Sequence, residues 1–215
     1  MYKIYFNKAQ AMLYIFIFYA FFCTFKRDYN MKKIVVFASG SGTNAENIIQ
    51  YFEKKKTARV VAVYTNNANA GVIVKAKNYN VPTEIFSKED LIGSIVLHNL
   101  NRIKPDMIIL AGFLLKFPEN IIKAYPNLIV NIHPALLPKY GGKGMYGMHI
   151  HKAIVENKEK ETGITIHYVN ENYDEGAIIF QQAVTLLGIQ NAAEVAAKIH
   201  VLEQEYFPKI IEGLL

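Results

Sequence analysis

Residues Lys33 to Ala38 (Lys-Ile-Val-Val-Phe-Ala) form a short β-branched run that ends in Ser39-Gly-Ser-Gly-Thr-Asn44 and enters a helical pattern through Ile48, Ile49 and Phe52. Apolar β-branched runs favour strands, and apolar residues three and four apart line one face of a helix. Strand, glycine turn, helix is the first unit of a doubly wound sheet. The glycines let backbone N–H groups approach an anion, and the helix N-terminus adds partial positive charge. The turn is thus compatible with phosphate binding and also with a purely structural role. As a dinucleotide fingerprint it reads G-x-G-x-x-A, but the acidic ribose-binding residue expected about 20 positions on is missing from the next strand.

The alternation continues. Strands are expected over Arg59–Tyr64, Thr83–Phe86 and Met107–Ala111, with helices over Gly71–Asn78, Lys88–Ile103 and Pro118–Tyr125. This pattern implies a mainly parallel α/β sheet covered on both faces. After the strongest core strand, Gly112-Phe-Leu-Leu-Lys-Phe-Pro118 either presents apolar side chains at the sheet's C-terminal edge or packs as a loop over the core. Thr162–Val169 and Ala177–Val184 are expected to form an antiparallel C-terminal hairpin around a loop ending in Asp174. A last helix over Ala192–Ile211 carries the stripe Val195, Ile199, Leu202, Tyr206 and Ile210, with Pro208 expected to kink it.

Between these parts, Ile129-Val-Asn-Ile-His-Pro-Ala-Leu-Leu-Pro138 delivers Asn131 and His133 into a proline-stiffened loop. Positions i and i+2 on a strand share a face, so an amide and an imidazole can converge on a carbonyl oxygen. The following Lys139-Tyr-Gly-Gly-Lys-Gly-Met-Tyr-Gly147 has no periodicity and reads as a substrate cover or a plain connection. His149 and His151 begin a helix at a spacing that does not converge on a metal, so they read as solvent-facing or supporting residues.

Composition removes other classes. The single cysteine, Cys23, allows no intramolecular disulfide framework and no cysteine-based zinc site. Of the net charge of +6, +3 belongs to residues 1–30, where Lys3, Lys8, Lys26 and Arg27 face Asp28. The remaining bias is too weak to argue for nucleic acid. Residues 1–30 also contain the 15-residue apolar run Ala11–Phe25. As a helix it would reach roughly 22 Å, short of the ~30 Å of a bilayer core, and no small-x-small cleavage site follows. Residues 1–30 are read as an extension ahead of a true start at Met31, with a weak targeting segment as the alternative. Residues 31–215 are expected to be the functional domain.

Ser39-Gly-Ser-Gly-Thr-Asn44, Ala111-Gly-Phe113, Asn131-Ile-His-Pro-Ala-Leu-Leu-Pro-Lys139 and His167-Tyr-Val…Asp174-Glu-Gly176 together resemble the phosphoribosylglycinamide formyltransferases of purine synthesis, in the same chain order. The resemblance implies a Rossmann-like formyltransferase fold. It implies transfer of a formyl group from 10-formyltetrahydrofolate, a co-substrate, to the amine of glycinamide ribonucleotide, with no tightly bound cofactor and no metal. Asn131, His133 and Asp174 match the family's catalytic trio. Gly40, Ser41, Gly42 and Thr43 match its phosphate loop, and Glu203 its ribose-binding acid. Leu114, Leu115, Lys116 and Phe117, with Asn170, Glu171, Asn172, Tyr173 and Asp174, match its folate-clasping stretches, and Lys88 a basic folate contact. Leu114-Leu115 stands where the family often has Met-Arg, and the Gly141–Gly147 loop replaces a commoner Pro-Gly form. The resemblance further implies a cytoplasmic monomer or homodimer acting on small molecules, with no nucleic-acid or membrane partner.

In chemical terms, Asn131 would donate to the oxyanion that forms when an amine attacks a formyl carbon. His133, with an ordinary pKa of about 6.5, would move the proton. Asp174 would accept from the imidazole, orient it and favour its protonated form. Related transferases that formylate methionyl-tRNA or hydrolyse formyltetrahydrofolate normally carry further domains, and a non-catalytic nucleotide-binding module would not need the trio.

Overall fold

A computed structural model describes residues 31–189 and 191–215. The reading of residues 1–30 lies outside the described residues. The domain is built on a seven-stranded sheet in the order β3-β2-β1-β4-β5-β6-β7. Strands β1 (Lys32–Phe37), β2 (Ala58–Thr65), β3 (Thr83–Ile85), β4 (Met107–Leu110) and β5 (Ile129–His133) run parallel. Strands β6 (Glu161–Tyr168) and β7 (Ile178–Thr185) form the expected antiparallel hairpin, and β6 also pairs antiparallel with β5.

The central strands are apolar throughout because helices cover both faces. On β1, Ile34 and Val36 enter one apolar cluster while Val35 and Phe37 enter the other. The first cluster takes α1 (Thr43–Lys55), α2 (Gly71–Asn78), α6 (Met148–Glu156) and α7 (Ala192–Leu214), through residues such as Ile48, Val72, Ile154 and Ile199. The second takes α3 (Lys88–Ile92), α4 (Ile95–Ile103) and α5 (Glu119–Ala124), through Leu91, Leu100 and Ile121. Each such side chain, once fully buried, contributes about 1.5–3 kcal/mol.

Two helical expectations need correction. The stretch Lys88–Ile103 is two helices, because Gly93 caps α3 by donating its N–H to Glu89 O at 2.8 Å and Ser94 starts α4. Ser87 opens α3 with a capping box to Asp90, a strong local start signal. At the C-terminus α7 continues through Pro208 to Leu214, and beyond Ile199 the fully buried residues are Phe207, Pro208 and Ile211. Leu202, Tyr206 and Ile210 of the expected stripe are only partly buried against the core.

Strand order reverses beside β1: the chain builds β2 and β3 outward on one side and then crosses to β4 on the other. Open α/β sheets bind ligands at such a reversal, outside the carboxyl ends of the strands. The turn after β1 and the segment after β4 therefore face each other across a crevice.

Candidate active site

A cavity of about 800 Å³ occupies that crevice. Its lining includes Gly40–Asn44 after β1, Leu110–Phe117 at the end of β4, and Asn131 and His133 of β5. Gly142–Gly147, His167, Asn170, Asn172, Tyr173, Asp174 and Glu203 complete the principal walls. Residues far apart in the chain thus meet because the C-terminal ends of β1, β4, β5 and β6 converge there.

The first wall is a glycine turn. Gly42 has φ +74° and is the N-cap of α1. A side chain there would be strained, and a Cβ would sit 2.5 Å from Val72 Cβ. Ser39, buried at the end of β1, donates its hydroxyl to Asn66 Oδ1 at 2.7 Å and accepts from Leu114 N–H at 3.1 Å. It ties the ends of β1 and β2 to the segment after β4. Glu203 of α7 reaches the same wall and accepts from Asn44 Nδ2 at 3.0 Å. Burial pushes its carboxyl up, against the lowering effects of Asn44 and His200.

The opposite wall divides by side chain. Phe113 and Phe117 pack edge-on against Phe37 at 5.5 and 5.1 Å, so these aromatics belong to the core. Leu114 is half exposed, and Leu115 and Lys116 follow it along the cavity. Asn170, Asn172, Tyr173 and Asp174 line the cavity, whereas Glu171 and Lys88 do not. Glu171 is exposed on the loop, and Lys88 is exposed at the start of α3.

At the floor, sheet register explains the polar cluster. Asn131 and His133 share a face of β5, and antiparallel pairing sets Asn131 opposite His167 and His133 opposite Thr165. Opposed side chains on an antiparallel pair are near neighbours. Asn131 Nδ2 lies 3.0 Å from His167 Nε2, and His167 Nδ1 lies 2.8 Å from Tyr168 O. A carbonyl only accepts, so Nδ1 carries the proton and Nε2 of the neutral ring accepts from the Asn131 amide. One amide hydrogen is thereby held, and the other remains free for a ligand. Thr165 accepts from Leu137 N–H at 3.0 Å and donates to Ala135 O at 2.7 Å, which pins the proline segment behind His133.

The same reasoning fixes His133. Its Nε2 lies 2.8 Å from Tyr140 O and therefore donates to it, which leaves Nδ1 facing Asp174 Oδ1 at 3.6 Å. Asp174 also stands 3.7 Å from His167 Nε2, and its Oδ2 accepts from Gly142 N–H at 2.9 Å. Burial lowers the His133 pKa from its ordinary 6.5, outweighing the upward pull of Asp174 and of the Tyr140 hydrogen bond. The Asp174 charge acts in the direction expected from sequence, and desolvation outweighs it. Burial also pushes the Asp174 carboxyl up, yet contacts with His167, His133 and Gly142 hold it below the usual range.

Of the histidines that line the cavity, His151, His167 and His200 carry no site assignment from sequence. His167 was within reach of sequence reasoning, since β6 alternates and a β5–β6 pairing places it beside Asn131. His151, expected to be solvent-facing or supporting, is buried in the lining, and its Nδ1 has no hydrogen-bond partner among the described residues, while His149 is exposed against the Tyr146 ring. Burial pushes the His151 imidazole down. Among the described residues, no group of three or more His, Cys, Asp or Glu side chains could hold a metal ion, and no helix is long and apolar enough to cross a membrane.

The family model for formyl transferase matches residues 32–211. The chain is 35% identical over 189 residues to a chloroplastic phosphoribosylglycinamide formyltransferase of Vigna unguiculata, covering 85% of this chain and 61% of that protein. It is 32% identical over 188 residues to the phosphoribosylglycinamide formyltransferase of Haemophilus influenzae, covering 85% of this chain and 86% of that protein. A crystal structure of glycinamide ribonucleotide transformylase 1 from Geobacillus kaustophilus superposes with a TM-score of 0.78 at 34% identity, over 86% of this chain and 99% of that one. The chain spans 61% and 65% of the length of the two plant relatives it matches.

Proposed function

The chain belongs to the formyl transferase family, and on that premise we propose that it transfers the formyl group of 10-formyltetrahydrofolate to the amine of glycinamide ribonucleotide in purine synthesis. The observation that carries this reading is the convergence of Asn131, His133 and Asp174 in one cavity between a glycine turn and an apolar crevice. The turn at Gly40–Thr43, with Glu203 beside it, offers backbone N–H groups to a phosphate and a carboxylate to ribose hydroxyls. Leu114–Phe117 and Asn170–Asp174 offer the other wall to the folate.

In this reading the amine lone pair attacks the formyl carbon, and the carbonyl electrons move onto oxygen. Asn131 donates its free amide hydrogen to that oxyanion. His133, resting neutral because burial lowers its pKa, takes the proton shed by the nascent ammonium at Nδ1. It returns the proton to the leaving folate nitrogen as the C–N bond breaks, a relay typically worth about 10²–10⁴-fold. Asp174 stabilises the transient imidazolium across 3.6 Å. No side-chain nucleophile is needed, because the amine attacks directly.

Incubation of the full chain with both substrates, with product followed by mass spectrometry, tests the reading. Tetrahydrofolate release should require the amine and match formylated ribonucleotide one for one. Release at the same rate without the amine would instead make the protein a formyltetrahydrofolate hydrolase.

A further inference from the structure

The His133 tautomer depends on one backbone carbonyl, that of Tyr140, and this residue sits in an unusual place. Tyr140 has φ +57°, in the left-handed region that bulky side chains rarely occupy. Such a conformation persists only where its surroundings over-determine it. Here they do. The Tyr140 hydroxyl donates to Glu159 Oε1 at 3.0 Å and accepts from Asn157 Nδ2 at 2.9 Å. Lys139 Nζ donates to the same Glu159 oxygen at 3.1 Å. On extended backbone successive side chains point to opposite faces, so Lys139 and Tyr140 reach one oxygen only because the chain turns left-handed between them.

The turn so held touches both members of the proton-handling pair. Tyr140 O accepts from His133 Nε2, and two residues later Gly142 N–H donates to Asp174 Oδ2. Between them a Cβ at Gly141 would meet Leu137 Cδ2 at 2.6 Å and Asp174 Cβ at 3.4 Å, so a side chain there would require Leu137 to shift. The turn is fixed outside by the phenol and inside by close packing.

We propose that Tyr140, anchored by Glu159 and Asn157 at the end of α6, is a positioning residue that confines neutral His133 to its Nε2–H tautomer, leaving Nδ1 as the nitrogen that exchanges a proton with substrate. The tautomer statement stands on geometry alone; its catalytic consequence rests on the formyl-transfer reading above. A His133 ring released from the carbonyl would populate both tautomers and turn a protonated Nδ1 toward the amine it must deprotonate.

Two readouts test this on the full chain. Histidine-selective ¹⁵N NMR, above the titration of His133, reports which nitrogen is protonated, and steady-state kinetics separates kcat from KM. The wild-type chain should show the Nε2–H tautomer, and Tyr140→Phe should show a mixture. With it, kcat should fall by about 10- to 10²-fold while both KM values stay within about twofold, as for misplacement of a reacting group. Asn157→Ala, which removes one anchor from the surface, should move both readouts the same way by less, and it carries the test should Tyr140→Phe fail to fold. A Tyr140→Phe protein that keeps the Nε2–H tautomer, or that shifts tautomer while keeping wild-type kcat, would overturn the proposal. A wild-type chain that transfers no formyl group but shifts tautomer with Tyr140→Phe would remove the function and leave the positioning role standing.

Discussion

His133 presents Nδ1 to Asp174 Oδ1 at 3.6 Å while its other nitrogen is tied to the Tyr140 carbonyl at 2.8 Å. The imidazole therefore meets the carboxylate with the atom that gains and loses a proton. Burial and Asp174 pull its pKa in opposite directions, and burial prevails.

Removing the Asp174 charge should take away the principal upward influence on His133. In Asp174→Asn the imidazole pKa moves further below its ordinary value, so the acid limb of the kcat/KM profile shifts to lower pH. Turnover should also fall, by about 10²-fold, because the imidazolium formed in the transition state loses its counter-charge. Rate measurements across the acid limb check both. A limb that stays in place or moves to higher pH would show that Asp174 does not act on His133.

His133 and His151 also predict how stability depends on pH. His133 and His151 both titrate below 6.5 in the folded protein because burial disfavours their charged forms. The unfolded chain then binds more protons as pH falls through 6.5, so stability drops between 6.5 and the lower folded values and levels off beneath them. Glu203, whose carboxyl is pushed up, opposes this at lower pH. Comparing melting temperatures of the wild type and His151→Gln over the range of about pH 7.5 to 5 isolates one histidine. The wild type should lose more melting temperature on acidification than the variant, and a larger loss in the variant would contradict the sign.

Across β5 and β6, Asn131 and His167 should behave as one unit. Asn131→Ala removes an oxyanion donor, a change that typically costs about 10²–10³ in kcat, or about 2.7–4 kcal/mol. His167→Ala removes the partner that holds the amide and also a contact of Asp174, and about 10-fold is expected when a donor loses its aim. In the double variant the His167 effect should shrink to the part exerted through Asp174, since there is no amide left to orient. A double-mutant cycle on kcat measures this, and additive losses would separate the two roles.

Much of this molecule is legible in the sequence, for reasons that differ from part to part. The β-α alternation from Lys33 to Ile129 is written in local periodicity, and hairpin β6–β7 in alternation around a polar loop. The single long helix expected over Lys88–Ile103 failed because Gly93-Ser94 interrupts an apolar pattern that continues on both sides. Asn131, His133 and Asp174 stood out through the motifs they share with a family. His167 was missed because its neighbour is set by pairing between β5 and β6, a non-local relation. The role of the Tyr140 carbonyl is hidden from sequence because every residue has such a group. The net downward shift of His133 is not legible in sequence because charge is visible there and depth of burial is not.

The central claim is that His133 moves the proton in formyl transfer, and single-turnover kinetics of His133→Ala tests it most directly. With both substrates bound, formation of formylated ribonucleotide should slow by at least about 10²-fold while the folded structure and both binding affinities stay close to wild type. A His133→Ala protein that formylates the amine at a near wild-type rate would contradict the assignment and place the proton transfer elsewhere.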